Sequence, residues 1–169
     1  MGGVWMLCRS RCIVRFSTSQ EIVMERRIEK DLQHLVSDFG DISSVWLCGS
    51  RANEGGASGD DWDLLVFGDR RVAEALESCG NLFGRDVDLK FVDLATGELK
   101  RLWKSAEWED FQSWFWVERS PTLAEYHSAH FGDQLVMMGG EWVEAGELTV
   151  TKKRAVRLWP EPKSELSVN

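Results

Sequence analysis

Apolar positions follow two rhythms along this chain. From Ile28 they recur at Leu32, Leu35, Val36 and Phe39, the three-to-four-residue spacing of a helix with one apolar face. Thr18 and Glu21 fit a capping box ahead of that run and Gly40 suits its end, so the pattern predicts a helix over roughly 20–39. "SSVWLC" (43–48) reads as a short buried strand that stops at Gly49-Ser50, and residues 51–60, with three glycines, predict a loop or one helical turn. A second strand, "DWDLLVF" (61–67), follows. Next come a helix, "RRVAEALESCG" (70–80), with Val72, Ala75 and Leu76 inward, and a third strand, "DVDLKFV" (86–92), which alternates strictly. Helix, strand, loop, strand, helix, strand is an α+β unit, with a mixed β-sheet flanked by helices as its expected architecture.

Past residue 95 the pattern loosens. "GELKRLWKSAEW" (97–108) predicts a helix, "SWFWVE" (113–118) a strand or a buried helix end, and "TLAEYHSAH" (122–130) a short helix. From Leu135, "LVMM", "EWVE" and "LTVTKKRAVRLW" are divided by glycines and predict a small antiparallel sheet. The expected division is an extension over 1–23, a core over 24–100 and a Trp-rich, partly β C-terminal extension over 101–169. Met24 opens the more typical start "MERRIEKDL", which marks 1–23 as a loose arm or a mis-set start.

At 169 residues the chain suits one domain with an appendage. Its net charge of −8 argues against duplex nucleic acid as the main partner, because phosphate binding calls for a basic surface. Cys8, Cys12, Cys48 and Cys79 form no CxxC pair and read as reduced thiols. Arg9, Arg11 and Arg15 interrupt any apolar leader, and no apolar run approaches the length of about 18 residues that a membrane span needs. The expectation is a cytoplasmic protein with no membrane partner.

The chemistry concentrates at 49–63 and 86–90. In a strand, alternate side chains share a face about 6.5–7 Å apart, so Asp61 and Asp63 point one way, Trp62 and Leu64 the other. Asp86, Asp88 and Lys90 likewise share a face, opposite Val87, Leu89 and Phe91. If the two strands are neighbours, three or four carboxylates converge. Their mutual repulsion and desolvation are costly unless cations neutralise them. Hard oxygen ligands of this kind suit Mg²⁺ or Mn²⁺ completed by substrate phosphates. The Gly49-Ser50 turn would let a phosphate approach backbone N–H groups and the Ser50 hydroxyl.

Gly49-Ser50, ten intervening residues, then Asp61-Trp62-Asp63-Leu-Leu-Val resembles the signature of the DNA polymerase β nucleotidyltransferase superfamily, and most of all its small "minimal" members. The resemblance spans roughly 30–95. It implies a nucleotidyltransferase core in which Gly49, Ser50 and Arg51 bind a nucleoside triphosphate. It also implies that Asp61, Asp63 and a third acid, Asp88 between Val87 and Leu89, hold two Mg²⁺ or Mn²⁺ ions. The implied reaction moves a nucleoside monophosphate, AMP from ATP, to a hydroxyl of an unknown acceptor (small molecule, protein or RNA) and releases pyrophosphate. The acidic balance counts against an RNA-tailing enzyme. The alternative is a non-catalytic binding module, as when minimal members act as antitoxin-like partners of helical toxin proteins.

Other residues have plainer readings. Asp86 reads as a solvated neighbour and Lys90 as a surface lysine or a phosphate contact. His127 and His130 lack the glutamate of HExxH, and His34 lies on the outer face of the first helix. Trp103, Trp108, Phe111, Trp114, Phe115 and Trp116 read first as packing and second as the wall of a base or acceptor pocket. "TKKRAVR" (151–157) reads as a solubilising strand edge rather than an RNA footprint.

Overall fold

Pairing between strands decides the architecture, and it reaches further along the chain than local periodicity does. The computed structural model describes residues 13–14, 22–53, 61–131, 135–138, 141–144 and 148–160. The chain divides into two units, Met1–Gly40 and Asp41–Asn169. The fold class is α+β.

In the first unit β1 (Ile13–Val14) pairs antiparallel with β2 (Ile22–Val23), and α1 spans Arg26–Asp38. The helix therefore begins six residues later than 20, the expected start. Ile22 and Val23 are β-branched, and they are held extended by the partners Val14 and Ile13. The Thr18–Glu21 capping box lies outside the described residues. Ile28, Leu32 and Leu35 form the buried stripe of α1, as their spacing predicts, and His34 is exposed.

The second unit is built on one sheet. Its strands are β3 (Ile42–Leu47), β4 (Trp62–Gly68), β5 (Val87–Asp93), β6 (Glu98–Arg101), β7 (Glu109–Asp110), β8 (Val117–Ser120), β9 (Leu123–Phe131) and β12 (Leu148–Trp159). They lie in the order β7-β6-β5-β4-β3-β12-β9-β8. β10 (Leu135–Met138) and β11 (Glu141–Glu144) form a separate antiparallel pair. Among the described residues only β4 and β5 pair in parallel, which requires a crossover, and α2 (Arg70–Cys79) supplies it. The Asp69 side chain caps α2 by accepting the Arg71 N–H, and Gly80 closes it with φ +77°.

Three expectations past residue 95 are corrected. The predicted helix over 97–108 is β6 and a turn, because Lys90, Phe91, Val92 and Asp93 of β5 pair with Arg101, Lys100, Leu99 and Glu98. The predicted helix over 122–130 is β9, held by β12 from Leu123↔Val156 to Phe131↔Leu148. "LTVTKKRAVRLW" does not join "LVMM" and "EWVE" in a small sheet. It inserts between β3 and β9, so "TKKRAVR" lies on an interior strand, not on an edge. Residues 113–118 divide between a 3₁₀ turn (Phe111–Trp114) and β8.

Strand alternation sorts the core. Val45, Leu47, Leu64, Val66, Leu89 and Phe91 fill one face, on the side of the α2 residues Val72, Ala73 and Leu76. On the other face Trp46, Cys48, Leu65, Phe67, Val92, Leu99, Ala124, Tyr126 and Ala155 pack with Phe111, and Trp114 and Trp116 lie against them. Trp116 makes an edge-on contact with Trp46 at 5.2 Å, and Phe111 does the same with Phe67 at 5.5 Å. The aromatic run is thus packing at Phe111, Trp114 and Trp116, while Phe115 is 64 % exposed. Leu65 is fully buried and Leu94 is 58 % exposed. Leu65→Ala should therefore lower the unfolding free energy by about 2–5 kcal/mol. Leu94→Ala should change it by no more than about 0.5 kcal/mol, both read by urea denaturation.

Candidate functional site

The crossover places the two acid-bearing strands side by side. β4 and β5 pair in parallel with Asp63 opposite Asp88 and Leu65 opposite Lys90. Lys90 lies two residues beyond Asp88 on the same face, and its stem folds back towards the carboxylates. Its Nζ donates to Asp63 Oδ1 at 2.8 Å and to Asp88 Oδ2 at 2.6 Å. The Lys90 side chain is 13 % exposed, so it is not the surface lysine expected.

Two further cations close on Asp88. Arg101, opposite Lys90 in β6, donates to Asp88 Oδ2 at 2.9 Å. Lys104 reaches Asp88 Oδ1 at 2.8 Å from the turn after β6, where Trp103 takes a left-handed conformation with φ 60°. The alternation of β6 divides its charges: Lys100 points the other way and pairs with Glu77 of α2 at 2.7 Å. Burial disfavours the Asp88 carboxylate. Hydrogen bonds from Lys104, Lys90 and Arg101, with the charge of Lys90, outweigh that and hold its pKa well below the usual carboxylate range. Burial likewise lowers Lys90, but Asp63 and Asp88 more than compensate and its pKa stands above the ordinary value.

The Gly49 turn packs on this group. Gly49 has φ +67°, and a Cβ built on it would overlap the Asp63 carboxylate. Both its peptide groups are engaged. Its N–H donates to the Tyr126 hydroxyl at 3.0 Å and its carbonyl accepts from Asn53 Nδ2 at 2.6 Å. Asn53 also accepts the Arg154 N–H at 3.0 Å and donates to the Arg154 carbonyl at 3.3 Å, tying the turn to β12. Ser50 opens a 3₁₀ turn (Ser50–Ala52) and is exposed. Burial pushes the Tyr126 pKa up and the Cys48 thiol to about 12, so both stay neutral beside the turn.

Of the residues singled out in sequence, Asp63, Asp88 and Gly49 meet in one place. Asp61 precedes β4 and is exposed, outside the ion-pair group. Asp86 is exposed, and its carbonyl accepts the Trp62 N–H at 2.8 Å. The Arg51 guanidinium lies over the Trp62 ring, 4.3 Å from its centroid. Arg101, Lys104, Asn53 and Tyr126 escaped sequence reading. The basic spacing of "KRLWK" was the one signal for Arg101 and Lys104, and reading it as a helix hid their direction. Nothing near Asn53 or Tyr126 in sequence announces their partners.

The acids were expected to hold divalent ions, and the donor set tests that. A metal shared by Asp63 and Asp88 needs oxygens at about 2.0–2.1 Å for Mg²⁺, which puts it where the Lys90 ammonium stands. Asp88 Oδ2 serves Lys90 and Arg101, and its Oδ1 faces Lys104. Among the described residues no group of three or more His, Cys, Asp or Glu side chains is arranged to hold a metal ion. A shared metal does not fit beside Lys90.

No family model, curated protein or solved structure matches the chain. Among the described residues no helix is long and apolar enough to cross a membrane.

Two outcomes follow from this geometry. The folded Asp88 pKa lies below its unfolded value, so its pairings add stability that is complete above about pH 5 and lost as pH falls further. Lys90 has the opposite sign: its contribution is whole at neutral pH and lost only as pH rises through its raised pKa. Urea midpoints measured across pH should drop on the acid side, and Asp88→Asn should shallow that limb. Separately, Tyr126→Phe leaves the Gly49 N–H without its acceptor and should cost about 1–3 kcal/mol. Gly49→Ala should destabilise as well, through its left-handed backbone and the Asp63 overlap, with thermal melts as the measurement.

Proposed function

We propose that this chain binds a nucleoside triphosphate at the Gly49-Ser50 turn and transfers its nucleoside monophosphate, AMP from ATP, to a hydroxyl acceptor. The observation that supports this most is the parallel register of Asp63 with Asp88 directly against the Gly49 backbone. Three side-chain cations face two carboxylates there, which leaves one net positive charge in that group within a chain of net charge −8. A local positive field of this kind draws a polyphosphate. In the reaction the acceptor hydroxyl gives up its proton to solvent, its oxygen bonds to the α-phosphorus and the bond to the α,β-bridging oxygen breaks. Pyrophosphate leaves with that electron pair. Lys90, Arg101 and Lys104 would stabilise the negative charge that develops on the leaving group. Because the Gly49 N–H already serves Tyr126, the phosphate contacts fall to Ser50 and to these cations.

A second reading is a binding module without turnover, such as an antitoxin-like partner of a helical toxin protein. The observation favouring it is Lys90 itself, which neutralises the acids that would otherwise recruit catalytic metal ions.

Calorimetry with ATP, GTP, CTP and UTP, followed by pyrophosphate release in the presence of an extract as acceptor source, tests both readings. Transfer predicts binding of at least one triphosphate, pyrophosphate release and α-phosphate label on an acceptor. Binding without release selects the module. No binding of any triphosphate would sink both the transfer reading and a nucleotide role for the turn.

A further inference from the structure

We propose that Lys90 is the resident cation of this site: its ammonium takes the position between Asp63 and Asp88 that a divalent metal ion would otherwise take, so the wild-type pair binds triphosphate without a metal bridging the two carboxylates. The inference deepens the nucleotide reading, but it rests on the ion-pair geometry and not on turnover.

Three observations carry it. First, Lys90 Nζ is within hydrogen-bond distance of an oxygen of each acid, at 2.8 Å and 2.6 Å, and its side chain is largely shielded from water. Second, the placement follows from the backbone. Lys90 shares a face with Asp88 and stands one alternate position beyond the Asp63–Asp88 register, so a four-carbon stem spans the gap by folding back along β5. Third, Lys104 Nζ stands 2.8 Å from the other Asp88 oxygen and Arg101 shares the first, so with Lys90 in place a metal ion at Asp88 would have to compete with three side-chain cations. A divalent ion would have to displace the ammonium and then sit beside the charges of Arg101 and Lys104, and Mg²⁺ in addition dehydrates reluctantly. A tethered cation also needs no recruitment from solution. Lys90, Arg101 and Lys104 thus form a fixed cationic set, and a triphosphate is the ligand class matched to it, with Lys90 also bridging the strands from which Asp63 and Asp88 project.

The test compares wild type with Lys90→Met, which keeps the length of the side chain and removes its charge, in Mn²⁺ titrations followed by electron paramagnetic resonance and by thermal melts without nucleotide. Wild type should bind no Mn²⁺ that depends on Asp63 or Asp88. Lys90→Met should melt lower and bind one Mn²⁺. Its melting temperature should rise with Mn²⁺ concentration as expected for a ligand that binds the folded state alone, and a second substitution, Asp88→Asn, should abolish that gain. With ATP, chelating divalent ions should leave wild-type affinity nearly unchanged, whereas Lys90→Met should lose about tenfold or more and recover it with Mn²⁺. Mn²⁺ that binds wild type and is lost in Asp63→Asn would overturn the proposal, and this arm stands even if Lys90→Met does not fold. A folded Lys90→Met that gains no Mn²⁺ site would overturn it too. If the Mn²⁺ results hold while ATP binds neither protein, Lys90 remains the resident cation and it is the nucleotide reading that falls.

Discussion

The ammonium of Lys90 between two aspartates in parallel register is the interaction on which the second unit's site is organised. Side by side on a half-buried face, Asp63 and Asp88 would repel each other and lose hydration together. The chain answers with a cation from the same strand and face, then adds Arg101 from β6 and Lys104 from the turn after it. Each partner depends on a different part of the fold: the α2 crossover for the parallel register, the β5–β6 pairing for Arg101, the left-handed Trp103 for Lys104. Buried ion pairs seldom stabilise more than apolar packing of the same volume, so stability alone does not account for the group.

The aromatic face supports the same place from the other end. Trp114 stacks on Tyr126 with ring centroids 5.3 Å apart, and the Tyr126 hydroxyl meets the Gly49 N–H. The Trp-rich segment thus reaches the site through a phenol: Trp114 stacks on the Tyr126 ring, and that ring's hydroxyl holds a peptide plane beside Asp63.

Much of this was legible in sequence where local pattern and long-range pairing agree. The alternation of "DWDLLVF" and "DVDLKFV" put Asp63 and Asp88 on facing positions, and the requirement that cations neutralise them was correct in its physics. Charge balance does not reveal whether a metal ion or a side chain supplies that charge, and in the structure the Lys90 ammonium stands between the two acids. Lys90 was visible on the right face but read as a surface lysine or a phosphate contact, not as the partner of both acids. Elsewhere local pattern misled. Leu99, Leu102 and Trp103 mimic helical spacing, and Leu123, Ala124 and Glu125 are good helix formers, yet β5 and β12 offer complete hydrogen-bonding edges that outweigh such propensities. The contacts of Asn53 and Tyr126 span 101 and 77 residues, a distance over which one sequence carries no signal.

The position of β12 has a further consequence for how the molecule is made. This strand is the last in chain order among the described residues, yet it lies in the interior of the sheet, between β3 and β9. Until it emerges during synthesis, one edge of β3 is unpaired and Asn53 lacks both of its Arg154 partners. The acids and Lys90 are already made by then. The turn that faces them takes its final shape only when the ribosome has released residues 148–159, so the nascent chain carries the charges of the site well before it carries the site.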